Sequence, residues 1–330
     1  MKDEYKNSNK KIGILISNLG TPEAPTKNAL KKYLNQFLMD KRVIDIPRLL
    51  WIPILKLIIL SLRPRQSAKL YKSIWTKDGS PLMVFSKKIL AKLSPQLNDN
   101  ITLVMGMRYG SPSISNAMDI LRKEKISKIL VFPLYPQAGS PTTSSTFDAI
   151  SDYIKKIHWM PDLRFISGYH DHDDYICALV NSINTSFKEK GMPDKLIFSF
   201  HGMPQRYLDK GDPYYCFCEK TARLTAEQLN LHKDYYEVAF QSRFGSEKWL
   251  EPYIDKLLLA EAKEGTKHIQ VISPGFSVDC LETLEEISIQ YREIFLNNGG
   301  EKFHYISCLN DSEDHIKMIQ SIINNAIQDW

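Results

Sequence analysis

The residues best suited to chemistry fall in two short stretches. Phe198 to Tyr214 reads FSFHGMPQRYLDKGDPY and carries one imidazole, His201, directly after the apolar run KLIFSF. Pro274 to Ile287 reads PGFSVDCLETLEEI and carries Glu282, Glu285 and Glu286 after the run HIQVIS. Ligands of an open parallel sheet bind at the carboxyl ends of its strands. An imidazole facing carboxylates at such an edge moves protons near neutral pH or holds a divalent cation. Glu282 and Glu286 have i,i+4 spacing, so one helix face presents both. A plainer reading stands beside each. One His after a strand is often a satisfied structural imidazole, and acids in a first helical turn complement the helix dipole. Glu285 fits that plainer reading best.

The elements that must position these groups are legible as alternation. KIGILISNLG (11–20), ITLVMGMRYG (101–110) and KILVFPLYP (128–136) read as strands of a first half. LRFISGY (163–169), KLIFSFHG (195–202), YEVAFQSRFG (236–245) and HIQVISPGFS (268–277) read as strands of a second. Amphipathic stretches lie between them, among them Ser113–Lys125, Asp174–Lys190 and Leu281–Leu296. This order predicts an α/β fold with parallel sheets flanked by helices. The halves also echo one another: ILISNLGTP with LIFSFHGMP, RYGS with RFGS, ILVFPLYP with IQVISPGF. Three echoes in one order predict two copies of a Rossmann-like unit, with a ligand cleft between them. A dinucleotide is not the expected ligand. NLGTPEAP follows the first strand where GxGxxG would be needed, and no GxxxxGK[ST] exists.

Composition narrows the class. The chain has 330 residues, 43% hydrophobic and 25% charged, with a net charge of +5, which reads as globular. Scattered lysines without a basic-aromatic stripe give no reason to expect nucleic acid. The polar start MKDEYKNSNKK lacks an apolar signal core and reads as a polar lead-in, so export is not expected. Five cysteines without a regular framework suit a reducing, cytoplasmic setting. Cys216 and Cys218 form one CxC that could bind metal, but without a second pair the signal is weak and the plain structural reading is favoured. Leu49 to Leu62, LLWIPILKLIILSL, is too short for a bilayer span of ~20 apolar residues. Either it is a buried core helix, or it is an exposed apolar lip for a greasy ligand or a membrane surface.

Together the motifs resemble those of the ferrochelatases, enzymes that insert ferrous iron into a porphyrin. The resemblance runs from about Ile12 to about Ile327. It rests on NLGTPEAP (18–25), DGSPL (78–82), GMRYG (106–110), LYPQ (134–137) with TTSS (142–145), SFHGMP (199–204) with KGDPY (210–214), QSRFG (241–245) with KWL (248–250), and PGFSVDCLETLEE (274–286). The details are similar to Gram-negative bacterial members. The resemblance implies a lyase of the chelatase fold, with a first domain at 10–160 joined by the C-terminal helix at about 311–330, and a second at 161–310. It implies porphyrin and Fe2+ as substrates, haem biosynthesis as the setting, and peripheral contact with the inner membrane through residues 49–62.

The reaction itself sets requirements. Two pyrrole N–H protons must leave while Fe2+ enters, so a base, a cation route and a ring-bending pocket are needed. By resemblance, His201 is the base or a metal ligand, and Glu282 is its partner as ligand or proton acceptor. Glu286 continues an acidic track. Arg108 holds a propionate by bidentate bonding. Tyr109 stacks on the ring or donates its phenol, and Trp249 packs on the macrocycle face. Arg243 reads as structural; Ser111, Tyr135 and Tyr71 are weaker hydrogen-bonding candidates. Many relatives have a second His where this chain has Cys280, and a neutral thiol is a poor base, so Cys280 stays outside the catalytic set. No tightly bound cofactor is expected. No cysteine follows Cys308, and Ser140 stands where a cluster cysteine lies in animal enzymes, so no [2Fe-2S] cluster is expected. A chelatase for another ring or metal, such as coproporphyrin or cobalt, and a non-catalytic tetrapyrrole carrier are the alternatives.

Overall fold

A computed structural model describes residues 11–330. The expected polar lead-in, residues 1–10, lies outside the described residues. The chain divides into two compact units.

Of the described residues, the first unit holds 11–135, 140–168 and 319–330. Its elements are β1 (Ile12–Gly20), α1 (Lys27–Leu38), α2 (Arg48–Pro53), α3 (Leu60–Ile74), α4 (Pro81–Leu93), β2 (Ile101–Tyr109), α5 (Ile114–Lys123), β3 (Lys128–Pro133), α6 (Ser145–Ile154) and β4 (Asp162–Phe165). The four strands form a parallel sheet in the order β2-β1-β3-β4. Leu15, Val104, Ile129 and Val131 of the sheet pack on Ala117 and Leu121 of α5 and Ile150 of α6. Each such side chain contributes about 1.5–3 kcal/mol by leaving water.

The second unit holds residues 136–139 and 169–318. Its elements are α7 (Asp173–Lys190), β5 (Lys195–His201), α8 (Gln205–Asp209), α9 (Tyr214–Gln228), β6 (Tyr236–Gln241), α10 (Ile254–Glu264), β7 (His268–Ile272), α11 (Arg292–Asn297) and β8 (Lys302–Ile306). The last helix, α12 (Glu313–Ile327), starts in this unit and from Ile319 belongs to the first. The sheet order is β6-β5-β7-β8, again all parallel. Ile197, Ala239 and Val271 pack on Leu258 of α10 and on Ile287 and Phe295.

Two expectations change. LRFISGY was assigned to the second half, but Asp162–Phe165 pairs with Lys128–Val131 of β3. The boundary therefore falls at Gly168/Tyr169 rather than at 160/161. The RYGS and RFGS echo is also not a structural one. Ser17 pairs with Gly106 and its echo Ser199 with Ala239. The sequence match sets Gly106 against Gln241, two residues further on. Arg108 consequently lies inside a strand, and Arg243 lies beyond one. The third echo holds: Ile16 pairs with Phe132, and Phe198 pairs with Ile272.

Residues 49–62 are helical, in α2, a wide-turned segment Ile54–Ile59 and the start of α3. Trp51, Leu55 and Leu60 are buried with Leu38 and Ile44. The opposite face is open, with Leu49 91% and Leu57 74% exposed. Among the described residues, no helix is long and apolar enough to cross a membrane.

Candidate active site

His201 is the last residue of β5. Its Nδ1 sits 2.7 Å from the Gly202 carbonyl oxygen. A carbonyl only accepts, so Nδ1 carries the proton and Nε2 keeps its lone pair when the ring is neutral. Tyr214 donates to the His201 carbonyl at 3.1 Å, and the Phe276 ring lies 6.4 Å from the imidazole. The following glycine is obligatory. A Cβ on Gly202 would stand 2.7 Å from the Gln241 carbonyl oxygen and 3.1 Å from the Trp249 ring.

Glu282 and Glu286 lie on the segment Glu282–Tyr291, which has wide π-type turns rather than the α-helical turns implied by i,i+4 spacing. The Arg292 N–H reaches back to the Ile287 carbonyl, five residues earlier. Such a turn has more than four residues, and segments of this kind occur frequently at functional sites. Glu286 is mostly buried. Burial first, and the charge of Glu282 second, push its pKa up to about 7, against hydrogen bonds from Ser242 and Gln241. It remains protonated over much of the range in which an ordinary carboxyl is ionised.

Gln241 ties the two stretches together. It pairs with His201 in the β5–β6 register. Its Nε2 donates to the Glu282 carbonyl at 2.8 Å and to Glu286 Oε2 at 3.4 Å, while its Oε1 accepts from Ser199 at 2.7 Å. Ser242 donates a short bond to the same Glu286 oxygen. Its φ of 64° is unusual for a residue with a Cβ, a strain of the sort found where side-chain placement matters. Neither residue was singled out from sequence, although both stand in the QSRFG motif. Their direction toward the acidic segment is a tertiary fact.

Cys280 is buried. Burial, then the Glu282 charge, push its thiol well above the usual range, so it stays a neutral thiol, as its exclusion from the catalytic set anticipates. Glu285 is buried and accepts from Gln290 at 2.6 Å. Among the described residues, no three His, Cys, Asp or Glu side chains are gathered to hold a metal ion. His201, Glu282 and Glu286, the residues expected to meet a loosely held ion, are not gathered into such a group.

The expected ring-binding residues are engaged otherwise. Tyr109 is only 2% exposed, and its hydroxyl donates to Asp40 Oδ2 at 2.8 Å. It offers no open face for stacking. Arg108 donates through Nε to the Ser145 carbonyl at 2.9 Å and through Nη2 to Asp40. The Nε and Nη2 edge is thus committed within the first unit. Burial opposes ionisation of Asp40, but the Ser145 hydroxyl, the Arg42 N–H, the Arg108 charge and Tyr109 outweigh it, and its pKa lies below the ordinary value. Trp249 is 3% exposed, covered by Gly202 and the Phe244 ring at 4.9 Å. It forms the shell behind His201 and presents no face. Arg243 pairs with Asp255 at 2.8 Å, a structural role as expected. Tyr71 and Tyr135 are buried, and Ser111 is exposed.

Residues 11–327 match the ferrochelatase family. The chain belongs to the ferrochelatase family. A ferrochelatase of Nitrosococcus oceani is 50% identical over 97% of this chain and 88% of its own length. A ferrochelatase 2 of Shewanella oneidensis is 50% identical over 95% of this chain and 97% of its own. Among solved structures, SirB from Bacillus subtilis with Fe3+ superposes with a TM-score of 0.58, covering 96% of both chains at 10% identity. A sirohydrochlorin chelatase SirB with cobalt gives 0.57, covering 97% of both at 8% identity. At such identities the likeness is one of fold: that of the two-domain chelatases. Membership of the ferrochelatase family makes this chain a metal chelatase, a lyase acting in haem biosynthesis.

Proposed function

We propose that this protein inserts Fe2+ into protoporphyrin IX, releasing two protons and forming protohaem. One observation carries the reading: His201, with its proton fixed on Nδ1, is the strand-register partner of Gln241, whose side chain donates to the Glu282 backbone carbonyl and to the Glu286 carboxylate. In the reaction two pyrrole N–H bonds break and four nitrogens bind the metal. His201 Nε2 takes a pyrrole proton, since its lone pair is the uncommitted one. Glu282 meets the incoming cation or receives the second proton. Glu286, poised near 7, then relays a proton at neutral pH without trapping it. Trp249 supports His201 from behind, and Arg108 and Tyr109 brace the Asp40 edge of the first unit. Bending the ring exposes a nitrogen lone pair and lowers the barrier.

The exposed face of Leu49, Leu57 and Leu62, with Lys56 and Arg63 beside it, supports peripheral contact with a cytoplasmic membrane face, where a poorly soluble porphyrin is received. Replacing those three leucines with serine should raise the KM for porphyrin more than it lowers kcat, and should reduce flotation with vesicles. The opposite kinetic pattern would refute the lip. No resident iron–sulfur cluster and no nucleic acid enter this reading. Cys218, Cys280 and Cys308 are buried thiols, and Cys177 and Cys216 lie on different helices. Cluster absorbance in anaerobically purified protein would contradict that point. The function itself is tested by anaerobic Fe2+ insertion with catalytic protein, using protoporphyrin and coproporphyrin side by side. Turnover of protoporphyrin at the higher kcat/KM is expected. Stoichiometric binding without turnover would mean a carrier.

A further inference from the structure

Glu282 follows a loop, Ser273 to Cys280, that has no strand or helix of its own to fix it. Its anchor is Asp279, buried at the turn. Asp279 Oδ1 accepts from the Tyr305 hydroxyl at 2.7 Å and the Thr283 hydroxyl at 3.0 Å. Thr283 in turn accepts the Cys280 N–H at 3.0 Å, so residues on both sides of Glu282 are bracketed by one carboxylate. The other carboxylate oxygen goes to Asn310, in the segment after β8. Asn310 Nδ2 donates to Asp279 Oδ2 at 2.6 Å, and Asn310 Oδ1 accepts the Asp279 N–H at 2.8 Å.

The Asn310 backbone is held as well. Its N–H donates to the Ser277 carbonyl at 3.0 Å, and its own carbonyl accepts from His315 Nδ1 at the start of α12. Its φ of 49° is left-handed, a conformation that asparagine tolerates better than most residues. Every polar group of one side chain is thus spent on the loop that delivers Glu282. A buried carboxylate so fully partnered costs much to disturb.

We propose that Asn310 is a positioning residue for metal insertion: its two-point clamp on Asp279 sets where Glu282 stands. The proposal rests on the ferrochelatase reading and deepens it. Asn310 touches neither ring nor metal; it acts through the loop. An error of 1 Å in a reacting group costs about a hundredfold in rate, so loss of the clamp is expected to act on kcat.

The test is Asn310→Gly, which keeps the left-handed backbone and removes both side-chain bonds. Expected are a fall in kcat of about tenfold to a hundredfold, with porphyrin KM within about twofold. A merely structural role would act independently of Glu282, so Asn310→Gly is also combined with Glu282→Gln. The clamp predicts that the double variant is no slower than Glu282→Gln alone. A kcat within about threefold of the unaltered protein, or full multiplication of the two defects, overturns the proposal. If the glycine variant unfolds below the assay temperature, Asn310→Asp carries the same test, keeping the shape and acceptor and removing the donor. Absence of insertion by the unaltered protein would defeat the ferrochelatase reading and the clamp with it. Full activity in Asn310→Gly would defeat the clamp alone.

Discussion

The carboxyl ends of the two sheets share a scaffold and differ in their charges. Both units have the strand order of an α/β unit wound the same way, and both follow their third strand with wide turns, at Ser140–Ser144 and Glu282–Tyr291. Counting on without a gap from the aligned third strands sets Thr142 opposite Glu282 and Thr146 opposite Glu286. The first strands set Leu19 opposite His201. The first unit does carry a buried acid at its edge, Asp40, but Arg108, Tyr109 and Ser145 all donate to it. In the second unit Glu286 has Ser242 and Gln241 as donors and, among the described residues, no cation paired with it, with Glu282 raising its pKa. One edge commits its acid to a network of donors that includes a cation, and the other keeps an acid whose ionisation is opposed by burial and by a neighbouring carboxylate. Fold supplies the positions, and side chains decide whether they act.

The comparison is broken most readily at its extremes. His201→Ala should lower kcat by about a thousandfold in the insertion assay, as loss of a general base does. Glu286→Gln should act through pH. The folded pKa of about 7 lies above the ordinary 4.5, so the stability that Glu286 contributes is full below 4.5 and lost as pH rises to about 7. The variant, which cannot ionise, should therefore gain up to roughly 3 kcal/mol on the unaltered protein between pH 4.5 and 8, read as a difference in denaturant midpoints. A pH-independent difference would remove Glu286 from the poised set. Asp40→Asn strands a half-buried Arg108 and should cost about 2 kcal/mol of stability, seen as several degrees in Tm, with kcat of the folded protein nearly kept. A selective loss of kcat there would mean the first edge also takes part in chemistry. Thr142→Val, at the counterpart of Glu282, should change kcat by less than about twofold.

Much of this was legible in the sequence because it depends on local pattern. The β-branched runs located β1, β2, β3, β5, β6 and β7, and the echoes announced two copies. His201 and Glu282 were visible because a reactive residue at a strand end stands beside a turn motif. What escaped depends on distant partners. β8, KFHYI, is a short edge strand with Lys302 and His304 breaking its apolar run, so it carries no clear strand signal. β4 follows the second half in feel but pairs with β3, a choice made by sheet register. Wide turns leave no mark on a periodicity read at i,i+4. Asp40 is one acid after a helix, and nothing nearby names Arg108, 68 residues away, as its partner. The burial of Tyr109 and Trp249 was not legible either: an aromatic in a pocket motif reads alike whether it faces a ligand or supports the residue that does.

The most direct test is single-turnover insertion of Fe2+ into prebound protoporphyrin, comparing the unaltered protein with His201→Ala at saturating ring. The second unit's imidazole, as base, predicts unchanged ring binding and an insertion rate down by about a thousandfold in the variant. Equal insertion rates per bound ring would contradict it.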